Sequence, residues 1–230
     1  MRIKNILKMN SILFLALFIC LFNSFLSYQG FDVTKLKLSN QTDQIMIVVP
    51  LMQDNVYSAN FYYYIKKGDT WLEYLVSEAH IGFNGLGKER EGDRKTPIGT
   101  FTFNCYFGIA ENPTTKLPYI KLNDSLYWDG DSNSENYNLL VDYDKYKDFN
   151  TSDSEHLIDE TLAYQYAMNM NYNEERIPMK GAGIFLHCYS ERAWTAGCVA
   201  LPHYNMLKVI KTANKNAVIL IDYLENIYNY

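Results

Sequence analysis

The strongest restriction on the fold comes from a run of alternating side chains between positions 101 and 107. Apolar residues hold every second position of this run: Phe101, Phe103, Cys105 and Phe107. Because successive side chains of a β-strand point to opposite faces, this period of two predicts a half-buried strand with Cys105 on its apolar face. Aromatic residues, whose rings pack well on pleated surfaces, make up 15% of the chain. We therefore expect a mostly β fold with a few helices.

Composition excludes several classes of protein. Of the 230 residues, 48% are hydrophobic and 20% are charged, which is a globular composition and excludes a wholly disordered chain. The formal net charge of −5 argues against a broad nucleic-acid-binding face, so no nucleic-acid partner is expected. Four cysteines are too few for a small domain built on disulfides.

Residues 1–27 have the pattern of a secretory signal. Three basic residues, Arg2, Lys4 and Lys8, precede an apolar run from Ile12 to Phe22 that is short for a membrane span. The cleavage site is poor, so an uncleaved signal anchor is the alternative, and it is the only membrane contact expected. Both readings place the rest of the chain outside the cytoplasm, either secreted or in the cell envelope.

Local patterns predict several elements after this segment. A compact apolar run at Ile45–Val49 predicts a buried strand, and the turn signal at Lys67–Asp69 predicts a hairpin. The apolar face of His203–Ala213 predicts a helix, and Ala217–Ile221 predicts a closing strand. A further strand is predicted at Gly183–Cys188.

The segment Asn123–Ser154 is rich in Asp, Asn, Ser and Tyr. This composition predicts a long loop region, with a short helix near Tyr137–Tyr143. A structured loop of this length is either a lid or binding loop, or a solvated acidic insertion.

The domain limits follow from these patterns. Residues 28–43 are polar and lack strong periodicity, which indicates a tether. No internal repeat or proline-rich linker divides the remainder, so one domain is expected over residues 44–223, followed by a short tail at 224–230.

The residue types needed for thiol chemistry occur close together near the end of the domain. His187 ends a predicted strand, and the pair Gly197-Cys198 follows. Acyl transfer by a thiol needs a thiolate, a base for its proton and donors for the oxyanion. An imidazole beside the thiol supplies the first two, and the backbone N–H of Cys198, with that of Gly197, can face the oxyanion. The alternative reading is a core histidine and buried thiols.

Three further residues have two readings each. If the predicted strand is extended, Cys188 points away from the face of His187, which disfavours but does not exclude a disulfide with Cys198. Trp194 either lines a substrate cleft or packs beneath its loop. Asp93 either touches substrate or is a solvated loop charge. No metal-ligand spacing joins the histidines to the cysteines.

Three motifs in order carry a resemblance to a known family. The glycine-rich segment Gly85–Phe101, the strand Gly183–His187 and the motif Thr195–Val199 resemble those of the L,D-transpeptidase catalytic domain family (YkuD-like), in its Thr-Ala-Gly-Cys branch. The resemblance spans about Trp71–Asp222. It implies a β-sandwich-like catalytic domain over residues 44–223.

The resemblance also implies roles for individual residues. Cys198 matches the nucleophile, His187 the general base, and Gly197 with the Cys198 amide the oxyanion-binding backbone. The main-chain carbonyl of Cys188 matches the group that orients the histidine ring, and Thr195, with Trp194 and Asp93, is a candidate for the substrate cleft. The implied partners are peptidoglycan stem peptides, and no metal or organic cofactor is implied.

The implied reaction is transfer of a stem peptide through a Cys198 thioester, with release of a terminal D-amino acid. Two departures put the choice of acceptor in doubt: Thr195-Ala196 stands where many members have Ser-His, and Ala200 where many have arginine. With water as acceptor, the same site is an L,D-carboxypeptidase. The third alternative is a secreted cell-wall-binding protein without catalysis.

Overall fold

The computed structural model describes residues 30–51 and 56–230. The predicted signal segment, residues 1–27, lies outside the described residues. No helix in the described ranges combines the length and the apolar character needed to cross a membrane. Residues 33–230 form one compact unit.

The largest sheet of this unit is mixed and has nine strands. The order of its strands across the sheet is β12-β1-β2-β3-β11-β10-β9-β4-β5. The bounds of these nine strands are β1 Gln44–Pro50, β2 Ser58–Lys67, β3 Thr70–His80, β4 Gly99–Gly108, β5 Tyr119–Lys121, β9 Ala167–Met170, β10 Phe185–Cys188, β11 Val199–Leu201 and β12 Val218–Ile221. Strand β4 also pairs with β12, so the sheet closes on itself. The predicted fold class, mostly β and sandwich-like with a few helices, is confirmed.

The predicted hairpin is confirmed as β2 and β3, joined at Gly68 and Asp69. Gly68 has a φ of +58°, a left-handed conformation that glycine adopts without steric cost. The predicted strands at Ile45–Val49 and Ala217–Ile221 are β1 and β12, and they pair in parallel. These predictions are confirmed because each pattern is local and strongly apolar.

The alternation that predicted β4 is interrupted by a β-bulge. The pairing of β4 with β9 shifts register between Phe103 and Cys105. Before the bulge, Phe103 packs in the core of the large sheet. After the bulge, Tyr106 packs in that core, whereas Cys105 and Phe107 face a second core. Because a bulge adds one residue, it moves the following side chains to the opposite face. Cys105 is therefore half-buried in a different core from the one the alternation predicted.

A second, three-stranded sheet covers that second core. Its order is β7-β6-β8, and its bounds are β6 Leu126–Trp128, β7 Leu140–Asp142 and β8 Glu155–His156. The helix predicted near Tyr137–Tyr143 is wrong, because residues 140–142 form β7 and pair antiparallel with β6. Trp128 of this sheet packs edge-on against Phe185 of β10, with ring centroids 4.8 Å apart.

The described residues contain one α-helix, α1, at His203–Thr212, which confirms the predicted helix within one residue. Met206, Val209 and Ile210 form its buried face. The remaining helical segments are short 3-10 helices at Val33–Lys35, Lys37–Asn40, Thr151–Asp153, Leu157–Asp159, Ala163–Gln165 and Leu224–Asn229.

The two segments that flank the predicted domain contact each other. Leu36, in the segment predicted as a tether, is buried, and the Lys37 N–H donates to the carbonyl of Tyr230 at 2.6 Å. The Tyr230 hydroxyl in turn donates to Asp222 at the end of β12, at 2.7 Å. Tyr230 thus connects the segment around Lys37 to the end of β12 in the large sheet.

Candidate active site

The register of two neighbouring strands brings the predicted nucleophile and base to one face of the sheet. Strands β10 and β11 are parallel neighbours, and His187 lies opposite Ala200. Cys198 precedes β11 by one residue and shares a face with Ala200, because side chains two apart point the same way. His187 and Cys198 both line a cavity of about 310 Å³ on the side of the second core.

The Cys198 thiol is held by the backbone that enters β10. Its Sγ accepts from the Phe185 N–H at 3.3 Å and lies 3.3 Å from the Gly183 carbonyl, to which it donates. Burial raises the pKa of Cys198 to about 12, although the Phe185 amide acts in the opposite direction. The resting group is therefore a neutral thiol.

The His187 ring is fixed by the next residue of its own strand. Its Nδ1 lies 2.6 Å from the Cys188 carbonyl, so Nδ1 carries the proton and donates to it. Among the described residues, Nε2 makes no hydrogen bond, which leaves its lone pair available as a proton acceptor. Burial lowers the pKa of His187 to about 4, so the ring is neutral at pH 7.

The three cysteines of the described residues are free thiols. Cys188 packs in the core of the large sheet, with its Sγ 3.7 Å from the Tyr166 carbonyl. It lies on the opposite face from His187 and Cys198, as expected for an extended strand. Its side chain contributes to the core and its carbonyl contacts the His187 ring.

Two threonine hydroxyls hold the carbonyl of Cys198, the predicted nucleophile. Thr195 Oγ1 donates to the Cys198 carbonyl at 2.7 Å, and Thr96 Oγ1 donates to the same oxygen at 3.2 Å. Thr96 belongs to the glycine-rich segment and also accepts from the Gly82 N–H. The two loops on either side of the cavity are therefore fixed to one peptide group.

The close packing around position 197 leaves no room for a side chain, and Gly197 satisfies this requirement. Its φ is +152°, and a Cβ at this position would lie 2.9 Å from the Lys95 carbonyl oxygen. Its N–H donates to Thr195 Oγ1 at 3.1 Å and is thus not directed at an oxyanion in this state. The Cys198 N–H makes no hydrogen bond among the described residues. Of the two backbone amides expected to bind the oxyanion, the amide of Cys198 is therefore available to donate a hydrogen bond, and that of Gly197 is already bonded.

A comparison with models of protein families shows which family the chain belongs to. A family model described as the L,D-transpeptidase catalytic domain, YkuD, matches residues 55–221, which include both loops, His187 and Cys198. The chain belongs to this family.

The chain also aligns with solved structures from different bacteria. Bd1075 of Bdellovibrio bacteriovorus is 15% identical with a TM-score of 0.42, and the match covers 81% of this chain and 50% of that one. The helical cell shape determining protein Pgp2 of Campylobacter jejuni is 17% identical with a TM-score of 0.42, covering 83% and 55%. An L,D-transpeptidase from Mycobacterium smegmatis is 12% identical with a TM-score of 0.37, covering 79% and 59%. The chain thus spans about half the length of the first two.

No curated protein matches the chain in sequence.

Trp194 stands at the mouth of the YkuD-family cavity, half-buried. Its ring meets Phe83 edge-on at 5.2 Å, and the guanidinium groups of Arg94 and Arg192 lie 5.6 and 5.3 Å from its centroid. The residue lines the cavity and also packs against the neighbouring loop, so both sequence readings describe part of its environment.

Asp93 does not line the cavity; it organises the glycine-rich loop. Its carboxylate accepts from the N–H groups of Glu89, Arg90 and Lys95 at 2.8 to 3.0 Å, and from Lys88 Nζ at 3.0 Å. Burial raises the pKa of this carboxyl, but the four hydrogen bonds together hold it well below its usual range. The residue therefore acts on the site through Lys88, whose side chain is only 2% exposed and lines the cavity.

We expect Asp93→Asn to lower the free energy of unfolding by about 1–3 kcal/mol at pH 7, because three backbone N–H groups and the buried Lys88 ammonium lose a charged acceptor. A carboxyl whose folded pKa is depressed contributes stability above its unfolded pKa of about 4 and loses it as pH falls further. The gap between wild type and variant is therefore expected to shrink below pH 4. Urea unfolding at pH 7 and pH 3 measures it. Asp69→Asn, in the exposed hairpin turn, is the control, and equal effects of both variants would contradict the assignment.

The sequence did not single out two further residues of the cavity wall. Glu155 of β8 accepts from the Tyr164 hydroxyl at 2.6 Å, and both residues line the cavity. The Tyr164 ring meets the His187 ring edge-on, with centroids 5.5 Å apart. Glu155 reaches the cavity that His187 and Cys198 line because β8 pairs with β6, and no local pattern in the sequence reports this pairing.

Proposed function

We propose that this chain is a cysteine acyltransferase that acts on peptidoglycan stem peptides. Cys198 forms a thioester with a donor peptide and releases its terminal D-amino acid; an acceptor amine then takes the peptide, which is L,D-transpeptidation. The observation that carries the proposal is the shared cavity of Cys198 and His187, in a chain of the L,D-transpeptidase family.

The hydrogen bond of His187 to Cys188 supports the role of the base. With Nδ1–H donating to a carbonyl, Nε2 is the unprotonated nitrogen, and a general base must present such a nitrogen to the thiol. The same bond stabilises the imidazolium that forms when the thiol proton is transferred.

The resting geometry indicates that activation accompanies substrate binding. The Cys198 proton is directed at the Gly183 carbonyl, so a rotation about the side chain must first turn it toward His187. Burial favours the neutral forms of both residues. A bound peptide excludes water and brings its carbonyl to the thiol, and the proton moves to Nε2 as the C–S bond forms.

The oxyanion of the tetrahedral intermediate meets the Cys198 N–H, which is available in this structure. The Gly197 N–H joins it only if its bond to Thr195 opens. His187 then returns the proton to the leaving amine of the D-amino acid. The second half of the reaction repeats these steps with the acceptor amine in place of the thiol.

Incubation of the protein with a defined disaccharide tetrapeptide, followed by mass spectrometry, tests the proposal. We expect a covalent adduct on Cys198 that has lost the terminal residue, and a cross-linked dimer as product. A monomer shortened by one residue, without dimer, would assign the site to L,D-carboxypeptidase chemistry. The absence of any adduct or product would contradict both.

The proposal also includes the cellular location of the enzyme. Its substrate lies outside the cytoplasm, and the basic and apolar pattern of residues 1–27 supports export or anchoring there. Residues 44–223 would then be the catalytic domain, placed beyond the membrane.

A further inference from the structure

Glu155 has one carboxylate oxygen that is bonded and one that is available. Oε1 accepts from the Tyr164 hydroxyl, and among the described residues Oε2 has no hydrogen-bond partner. A Cβ placed on Gly183 would lie 3.7 Å from Oε2. Gly183 is the residue whose carbonyl contacts the Cys198 thiol, so Oε2 lies next to the segment that holds the nucleophile.

Glu155 also stands where two cavities meet. Together with Glu91, Ala182 and Gly183, it lines both the nucleophile cavity and a second cavity of about 450 Å³. The wall of the second cavity carries further carboxylates, Asp131 and Asp153, and no Lys or Arg of the described chain. A positively charged substrate group entering through this cavity is attracted by its wall and reaches Glu155 before Cys198.

We propose that Glu155 binds the ammonium group of the acceptor and takes its proton, so that the amine is ready to attack the Cys198 thioester. This inference rests on the proposed acyl transfer and adds the residue that selects an amine over water. The acceptor enters from the second cavity, on the side of Gly183.

Protons and bonds balance across this step. The acceptor ammonium gives one proton to the Glu155 carboxylate, and the lone pair of the resulting amine attacks the thioester carbonyl carbon. A C–N bond forms and the C–S bond breaks, which releases the Cys198 thiolate. The second amine proton passes through His187 to that thiolate, and Glu155 later loses its proton to solvent.

Two observations fit Glu155 to this role. Burial raises the pKa of Glu155 to about 7, although the Tyr164 hydrogen bond acts in the opposite direction, so this carboxylate accepts a proton more readily than an ordinary glutamate. Tyr164 also touches the His187 ring, so one side chain positions both proton acceptors relative to the thioester.

The test separates amine transfer from acylation. Full-length wild type and Glu155→Gln are incubated with the disaccharide tetrapeptide as donor and acceptor; the rate of adduct formation and the ratio of dimer to hydrolysed monomer are measured. We expect Glu155→Gln to acylate within about 2-fold of wild type and to lower the ratio at least about 10-fold, because a general base typically contributes about 10²–10⁴-fold. Glutamine retains an acceptor for Tyr164, and circular dichroism verifies folding.

Glu160→Gln is the matched control. Glu160 is an exposed carboxylate at the rim of the same cavity, so its removal changes the charge equally and should leave the ratio unchanged. A ratio that falls equally in both variants, or in neither, would overturn the role of Glu155. An adduct on wild type without any transfer to an amine would overturn it too, while leaving acylation by Cys198 established. If wild type forms no adduct, the proposed function itself fails.

Discussion

Cys198→Ala is expected to abolish the covalent adduct with a peptide donor or a β-lactam. The Cys198 thiol lines the cavity and is the proposed nucleophile, and alanine has no atom that can form the acyl bond. Loss of a covalent nucleophile typically reduces turnover by about 10⁶-fold, so no adduct should be visible by intact-protein mass spectrometry. Product formation from the disaccharide tetrapeptide should fall to background.

Cys105→Ala is the control for this experiment. Its thiol is free and half-buried in the same second core, but it does not line the cavity. This variant should acquire the adduct at the wild-type rate. Full labelling of Cys198→Ala, or loss of labelling in Cys105→Ala, would place the reactive thiol elsewhere.

His187→Ala is expected to slow acylation by about 10²-fold or more, because the thiol then loses the proposed general base that lines its cavity. The adduct should still form slowly, since the nucleophile remains. Time-resolved mass spectrometry of β-lactam acylation measures the rate, and the loss should appear in the acylation rate at saturating ligand.

His203→Gln is the control for His187→Ala. His203 is exposed at the start of α1, away from the cavity. An unchanged rate in His187→Ala would remove this residue from the mechanism. A similar loss in both variants would indicate a general effect on folding, which the thermal midpoint of each variant would reveal.

The elements that the sequence predicts correctly are those with local causes. The β2–β3 hairpin depends on a turn of two residues, and α1 on the apolar face of a single segment. The incorrect predictions concern features that depend on pairing with strands far away in the sequence. Strand β7 exists because residues 140–142 pair with β6, and the bulge in β4 depends on its pairing with β9. A pattern within one segment cannot report either pairing.

The same division applies to the candidate site. His187, Gly197 and Cys198 are visible in the sequence because their motifs are short and chemically unusual. Lys88 and Glu155 reach the cavity from the glycine-rich loop and from the small sheet, and only the packing of these elements brings them beside the thiol. Asp93 is visible as a charge, but its role depends on three backbone N–H groups that converge on it.

The paired threonine hydroxyls on the Cys198 carbonyl connect parts of the chain that are synthesised far apart. Thr96 and Cys198 are separated by 102 positions. A nascent chain that has just added Cys198 has not yet formed this site, because the bonds that position the residue require both loops and the closed sheet. The arrangement on which the proposed acyl transfer depends is therefore reached only after the strands that close the sheet have been synthesised and paired.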